Sequence, residues 1–204
     1  TPISHYQNQS FAHQEPIQVK LPVMGILKSP EQTARKAVLV AGGGGPGNAL
    51  GVMHGYRGVT QLLKVAEIFI DRGYDVFFAD QRGTGASLPK LQCPELAAEY
   101  RELLNEDVSA SHVHQRIEPI VLGCKNSLLQ AGIDVTYFNT LESAYDYIHL
   151  MDNLPYDEWV VFGVSYAAEL AYQISSLASD KVELLVLDSC LLYTSPSPRD
   201  FAIS

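Results

Sequence analysis

The sequence predicts an α/β fold in which a mostly parallel β-sheet carries helices on both faces. Continuous short apolar runs are typical of strands buried on both sides, and they occur at residues 37–41, 75–79, 158–162 and 182–187. Stretches with helical spacing of apolar residues accompany them, at 60–71, 140–151 and 166–177. Turns of small residues follow several of the strands. Such alternation of strand and helix is the pattern of βαβ units.

Composition indicates an ordinary soluble globular protein. The chain has 204 residues, enough for one domain with a substantial core, and carries a net charge of −9 with an isoelectric point near 5.0. An acidic chain argues against nucleic acid or an anionic membrane as partner. No apolar run approaches the roughly 20 residues that a membrane helix requires. The composition does not indicate an oligomeric state.

The N-terminal segment shows little pattern before its first strand. Residues 1–16 are polar and lack periodicity, and the chain starts at Thr1 with neither a methionine nor a signal peptide. We therefore expect either a removed leader or a missing N-terminus. Residues 17–23 alternate at period two, which predicts a half-buried strand near a sheet edge, where Pro22 is tolerated.

A glycine-rich loop at residues 42–48 follows the strand at 37–41 and admits three interpretations. It could bind phosphate, but it contains neither G-x-x-x-x-G-K-[ST] nor a G-x-G-x-x-G that opens a helix. It could be a purely structural turn. It could also be an oxyanion loop, since glycines let backbone N–H groups approach a ligand and Pro46 stiffens the chain.

The remaining stretches predict helices and loops without metal ligands. Thr60 is placed to cap the helix at 60–71, and Asn139 to cap the helix at 140–151. Residues 94–104 and 116–130 also look helical. His112 and His114 lie between those two in a polar stretch, with no Cys, Asp or Glu cluster to complete a site. We interpret both histidines as solvated surface, and the sequence predicts no metal and no cofactor.

The turn at residues 163–167 reads Gly-Val-Ser-Tyr-Ala, one residue away from the G-x-S-x-G nucleophile elbow. A strand at 158–162 precedes it and a helix follows, which is the context the elbow requires. Small side chains at Gly163 and Ala167 allow a tight turn that lifts the Ser165 hydroxyl clear of the sheet. The backbone N–H of Tyr166 then lies at a helix start, where it can bind an anion. Five-residue matches also arise by chance, but the strand–helix context and the upstream glycine loop favour a functional serine.

Three motifs, each following a strand, resemble the proline iminopeptidase and tripeptidyl-aminopeptidase-like group of α/β-hydrolase-fold serine peptidases. They are the Gly-Gly-Gly-Pro-Gly at 43–47, the Asp-Gln-Arg-Gly-Thr-Gly-Ala-Ser at 80–87 and the Gly-Val-Ser-Tyr at 163–166. Further agreement lies at Cys93-Pro94-Glu95, Cys124, Gly132-Ile133-Asp134, residues 137–140 and Val186-Leu187-Asp188. The resemblance runs from about residue 17 to residue 189. The chain departs from the pattern of this group at two positions. Gly43 stands where many members carry His, and Ala167 replaces the second glycine of the nucleophile elbow.

This resemblance implies the N-terminal part of an α/β-hydrolase fold and a set of site residues. Ser165 would be the catalytic nucleophile, and the N–H groups of Tyr166 and of Gly44 or Gly45 would form the oxyanion hole. Residues 80–82 would be a structural turn that orders loops near the site. The substrate would be a small peptide. A carboxylesterase or lipase-like hydrolase shares every residue named and is the alternative, as is a non-catalytic truncated product.

Two cysteines, Cys93 and Cys124, flank one helical excursion and predict a disulfide. A disulfide would imply a periplasmic or secreted protein. Two unpaired buried thiols in a cytoplasmic enzyme are the alternative.

The last segment of the chain differs in character from the rest. Residues 190–200 resemble the conceptual translation of a transposase-type sequencing adapter, so we assign 1–189 to the N-terminal portion of a hydrolase domain and 190–204 to a non-native tail. In this fold the chain order is Ser, acid, His, yet all six histidines precede Ser165. Asp188 lies at the end of one strand, whereas in this fold the catalytic acid normally follows the next strand along the chain. Asp188 is therefore not expected to be that acid. We therefore expect the catalytic Asp, the His and the lid to be missing, and this chain to lack useful activity as written.

Overall fold

The computed structural model describes residues 18–28, 36–43 and 55–188, with side chains left out at 55–59 and 61–62. The predictions for residues 1–16, for Gly44 and Gly45, and for the tail at 190–204 lie outside these residues. The chain divides into two compact units. We call residues 19–92 and 136–188 the sheet unit, and residues 93–135 the helical unit.

The described residues of the sheet unit form a five-stranded sheet in the order β1-β3-β2-β4-β5. Its strands are β1 (Val23–Ile26), β2 (Lys36–Ala41), β3 (Asp75–Ala79), β4 (Glu158–Val164) and β5 (Val182–Asp188). The pairs β2–β3, β2–β4 and β4–β5 are parallel, whereas β1 runs antiparallel to β3. The prediction that four strands form one parallel sheet is therefore confirmed.

The N-terminal strand lies later in the chain than its alternation predicts. β1 begins at Val23 and not at residue 17, and Lys20 makes only an isolated bridge with Leu88. In the observed register Gly25 pairs with Phe77, and a Cβ at position 25 would lie 2.9 Å from the Phe77 ring, which would have to move. Alternation in the sequence cannot show such a contact. The prediction of an edge position is confirmed, because β1 ends the sheet.

Helices cover both faces of the sheet, as predicted. They are α1 (Gly55–Ile70), α4 (Thr140–Asp152) and α5 (Ala167–Leu177). Alternate residues of the central strands face opposite sides: Leu39 and Val161 pack in the cluster with α4 and α5, while Val38 and Val160 pack in the cluster with α1. All four of these side chains are fully buried, which explains why the strands are apolar throughout.

Of the three helices that cover the sheet, α4 and α5 have the boundaries that the sequence predicts to within one residue, whereas α1 does not. Asn139 caps α4, accepting a hydrogen bond from the Glu142 N–H at 2.9 Å, as predicted. The helix α1 starts at Gly55, so Thr60 lies inside it and is not a cap. Glycines at positions 55 and 58 argue against an earlier start, but intrinsic propensity is a weak constraint that tertiary packing overrides.

The helical unit consists of α2 (Pro94–Leu103) and α3 (Ala110–Gln130), and the chain leaves it through a 3-10 turn at Val135–Tyr137. A disulfide joins Cys93 and Cys124, whose Cα atoms are 5.8 Å apart. The helix α3 begins six residues before the predicted residue 116, because the Ser109 hydroxyl caps it by accepting from the His112 N–H. His112 and His114 therefore lie in a helical turn and not in a loop. No helix in the described part of the chain is long and apolar enough to cross a membrane.

Candidate functional site

Ser165 occupies a strained turn between β4 and α5. Its φ is 57°, and it is the one non-glycine residue with positive φ in the described part of the chain. Such a conformation costs of order 1–3 kcal/mol and persists only where the surroundings impose it. The side chain is partly exposed at the carboxyl end of β4, where ligand sites of parallel sheets lie. This is the geometry that a nucleophile elbow requires.

The small residues on either side of Ser165 make this turn possible. A Cβ at Gly163 would lie 2.3 Å from the Ala167 carbonyl oxygen, which is an impossible contact. Two hydrogen bonds fix the serine backbone: its N–H donates to the Asp188 carbonyl, and its own carbonyl accepts from the Ala168 N–H, both at 3.0 Å. Together, close packing and backbone pairing to the end of β5 hold the strained φ in place.

The start of the glycine-rich loop lies directly against the elbow. A Cβ at Gly43 would come 2.6 Å from the Val164 carbonyl oxygen and 3.6 Å from the Ser165 Cβ. Glycine is therefore required at position 43 for the two backbones to approach each other. This contact places Gly43, the first residue of the Gly-Gly-Gly-Pro-Gly motif, beside the serine. Gly44 and Gly45 remain predicted oxyanion donors outside the described residues.

Tyr166 places its backbone at the first turn of α5 and its side chain against α4. First-turn N–H groups have no partner within their own helix, and they lie at the positive end of the helix dipole. The Tyr166 hydroxyl shares a hydrogen bond of 2.7 Å with the Thr140 hydroxyl at the start of α4. The residue that follows the serine is thus anchored at both its backbone and its ring.

The turn that follows β3 is ordered by buried hydrogen bonds. The Asp80 carboxylate accepts from the Ala86 N–H at 2.9 Å, and the Ser87 hydroxyl donates to the Asp80 carbonyl at 3.2 Å. The Gln81 side-chain amide donates to the Gly42 carbonyl at 2.9 Å, linking this turn to the glycine-rich loop. These contacts are those of a structural turn, as the family resemblance implies.

Arg82 ties the same turn to α4. Its guanidinium donates to both carboxylate oxygens of Asp146 at 2.7 Å, and also to the Tyr137 carbonyl at 2.6 Å. Nearby, the Tyr147 hydroxyl donates to the Ala79 carbonyl at 2.6 Å. Burial raises the pKa of Tyr147, and the negative charges of Asp80 and Asp146 raise it further. This tyrosine is therefore a neutral hydrogen-bond donor and not an acid–base group.

The one described histidine of the sheet unit, His149, does not lie at the elbow. It lies nine residues beyond Thr140 on α4, a rise of about 14 Å. The exposed His149 side chain contacts Asn153 instead. Among the described residues, no group of three His, Cys, Asp or Glu side chains is arranged to hold a metal ion.

Sequence reasoning misses two residues that support the site: Thr140, which contacts Tyr166 at the elbow, and Tyr147, which contacts the end of β3. The helical pattern indicates Thr140 only as the first residue of a helix and Tyr147 only as a position on its apolar face. The Thr140 hydroxyl bonds to the Tyr166 hydroxyl, 26 residues away along the chain, and the Tyr147 hydroxyl bonds to the Ala79 carbonyl, 68 residues away. No local sequence pattern indicates contacts over such separations.

A parallel sheet with helices on both faces, an elbow serine and an adjoining glycine loop together define an α/β-hydrolase fold. No protein-family model and no curated protein matches the chain. Among solved structures, an esterase from Exiguobacterium antarcticum matches with a TM-score of 0.50 and 13% identity, covering 85% of this chain and 42% of the esterase. A proline iminopeptidase-related protein from Thermus thermophilus matches with a TM-score of 0.46 and 19% identity, covering 83% and 40%. The chain thus spans about two fifths of the length of these structures.

Proposed function

We propose that Ser165 is the nucleophile of a serine hydrolase and that the whole protein is an aminopeptidase of the proline iminopeptidase kind. The observation that carries the proposal is the positive φ of Ser165 at the end of β4, directly against Gly43. Strain of this kind at an exposed polar side chain is typical of functional sites. The peptidase class is supported by the order of the three motifs at 43–47, 80–87 and 163–166.

In this mechanism the Ser165 Oγ attacks the carbonyl carbon of the first peptide bond of a substrate. The carbonyl oxygen becomes an oxyanion, which the Tyr166 N–H and an N–H of Gly44 or Gly45 stabilise. Collapse of the tetrahedral intermediate releases the shortened peptide and leaves the N-terminal residue as an ester on Ser165. Water then hydrolyses this acyl-enzyme.

Proton transfer in this mechanism needs a base, and the one described histidine of the sheet unit, His149, does not lie at the serine. A serine hydroxyl is a weak nucleophile until a base removes its proton. We propose that a histidine and an acid from further chain in the whole protein complete the triad, in the order Ser, acid, His. The 204-residue chain alone is then expected to show no useful turnover.

The test compares the whole protein, its Ser165→Ala variant and the 204-residue chain on aminoacyl arylamides and on short acyl esters. We expect the whole protein to hydrolyse the arylamides and Ser165→Ala to lose at least about 10³-fold in kcat. Ser176→Ala is the matched control, because Ser176 is an exposed serine of α5 whose hydroxyl only donates to the Tyr172 carbonyl.

Each outcome has a separate meaning. Turnover of esters but not of arylamides would replace the aminopeptidase by a carboxylesterase while keeping Ser165 as the nucleophile. Full activity in Ser165→Ala would exclude the proposed nucleophile. Robust turnover by the 204-residue chain that depends on Ser165 would show that one of its own histidines completes the site.

A further inference from the structure

We propose that Gln81 is a positioning residue that orients the Gly42–Gly43 peptide, which begins the glycine-rich segment beside Ser165. The inference rests on the proposed function, since it concerns how the proposed oxyanion donors are held. Gln81 is completely buried, and its side-chain amide donates to the Gly42 carbonyl at 2.9 Å.

The peptide between Gly42 and Gly43 needs an external anchor. Glycine has no Cβ, so the φ and ψ of both flanking residues are restricted far less than those of other residues. A peptide plane between two glycines can therefore rotate at little steric cost. The Gln81 amide fixes the direction of the Gly42 carbonyl and removes this freedom.

Fixing that carbonyl also fixes the neighbouring N–H. In a trans peptide the C=O and the N–H point in opposite directions within one plane, so the Gly43 N–H is oriented with the Gly42 carbonyl. The chain then leaves this plane at Gly43, whose backbone lies against Val164 and Ser165. A hydrogen bond from the turn after β3 thus sets the orientation of the Gly43 N–H beside the serine.

The burial of Gln81 supports a specific role. Its Oε1 atom is buried and has no hydrogen-bond partner among the described residues. An unpartnered buried acceptor is costly, of the order of 1–3 kcal/mol. An apolar side chain of the same size would avoid that cost, so what the amide contributes here is its N–H donor to Gly42.

The test uses a thiol as a reporter in the 204-residue chain and needs neither substrate nor base. Ser165→Cys places the thiol at the elbow, and Cys190→Ser removes the cysteine outside the disulfide. The rate of alkylation by iodoacetamide against pH gives the pKa of the thiol. N–H groups of a helix start and of an oxyanion hole favour the thiolate, so we expect a pKa below the usual value of about 8.5.

Into this background we introduce Gln81→Met, which keeps the volume but removes the donor. We expect the pKa of the thiol to rise and alkylation at neutral pH to slow about three- to tenfold. The matched control is Ser87→Ala, which removes a buried hydrogen bond to Asp80 in the same turn but none to Gly42. It should leave the pH profile unchanged. Emission from Trp159, the single tryptophan, verifies folding of each variant.

The possible failures are distinguishable. An ordinary thiol pKa before Gln81 is changed would exclude the proposed oxyanion site and this inference with it. A low pKa that Gln81→Met does not move would overturn the inference alone. If Gln81→Met does not fold, NMR on the unsubstituted chain provides the test instead, by measuring how fast the side-chain amide protons of Gln81 exchange with water. Exchange at Gln81 as fast as at the exposed Gln130 would overturn the inference, whereas exchange at least about tenfold slower supports it.

Discussion

Single residues determine whether the elbow can form at all. Ser165 holds a φ of 57°, which a side chain with a Cβ adopts only under constraint. Backbone hydrogen bonds with Asp188 and Ala168 impose this conformation. Gly163 permits it, because the Ala167 carbonyl lies where any side chain at position 163 would collide. The small residues of the motif are therefore a steric requirement of the turn.

Gly163→Ala is expected to destabilise the sheet unit by about 3 kcal/mol, because the added methyl overpacks a rigid backbone. Its Cβ would lie 2.3 Å from the Ala167 carbonyl oxygen and 2.8 Å from the Ala171 Cβ. Urea unfolding followed by Trp159 emission measures the change.

The matched control is Gly123→Ala within α3. A Cβ there meets nothing within 4 Å, so helix propensity alone should stabilise the helical unit by about 0.5–1 kcal/mol. Far-ultraviolet circular dichroism follows this change. Equal and small effects at both glycines would contradict the steric explanation of the elbow.

Tyr156 is expected to titrate abnormally. Its pKa is raised from 10.0 to about 12, chiefly by burial and then by its hydrogen bond to Asp75, to whose carboxylate it donates at 2.8 Å. A tyrosine whose pKa is raised by folding stabilises the native state fully below pH 10.0. That contribution is lost as the pH rises through about 12.

Absorbance of the phenolate against pH checks this prediction in the native protein and in Tyr156→Phe. The difference between the two titrations should be a single step near pH 12. A step near the ordinary value of 10.0 would contradict it.

At the level of elements, α4 holds the parts of the site together. Its first residue, Thr140, bonds the Tyr166 hydroxyl, and Asp146 holds the guanidinium of Arg82. The residue after Asp146, Tyr147, donates to the last carbonyl of β3. The elbow and the turn after β3 are thus both fastened to one helix.

Arg82→Gln should cost about 2 kcal/mol, because it leaves Asp146 without its bidentate partner in a largely buried position. The Arg82 side chain is 9% exposed and that of Asp146 is 17% exposed, so solvent screens the pair only in part. Urea unfolding monitored by Trp159 gives the change.

Lys36→Gln provides the comparison. Lys36 pairs with Glu158 and Glu183 on the surface, and its side chain is 43% exposed. Surface pairs contribute little and are screened by salt. We therefore expect a small, salt-sensitive change for Lys36→Gln and a larger, salt-insensitive one for Arg82→Gln. A larger effect for Lys36→Gln than for Arg82→Gln would contradict the conclusion that the Arg82–Asp146 pair fastens the turn after β3 to α4.

At the scale of the whole molecule, the disulfide between Cys93 and Cys124 closes 31 residues of the helical unit. Closing a loop of this size stabilises a folded unit by roughly 3–4 kcal/mol. Because disulfides persist in oxidising compartments, we propose a periplasmic or secreted location for the protein.

Thiol titration in denaturant tests this pairing. The chain has three cysteines, so one thiol should react before reduction (three less the two that are paired) and all three afterwards. The double variant Cys93→Ser with Cys124→Ser should lower the urea midpoint of the far-ultraviolet signal. Three reactive thiols in protein isolated without reductant would mean that the pair is reduced, and would favour a cytoplasmic location.

Much of the fold was predictable from the sequence because its signals are local. The runs at 37–41 and 158–162 are largely apolar, which already indicates strands covered on both faces. The cap at Asn139 and the small residues beside Ser165 are also evident from adjacent positions. The boundaries that were predicted wrongly, at β1, α1 and α3, depend on packing partners or on a cap that short-range periodicity does not reveal.

The sequence by itself determined the succession of strands and helices along the chain, the buried character of the sheet and Ser165 as the candidate nucleophile. Only the tertiary structure decided that Gln81 meets Gly42, that Thr140 meets Tyr166 and that Gly43 lies against the elbow. The physical reason is the range of the interactions. Periodicity and turn chemistry act over a few residues, whereas these three contacts join residues at least 26 positions apart in the chain, and only the packed sheet brings them together.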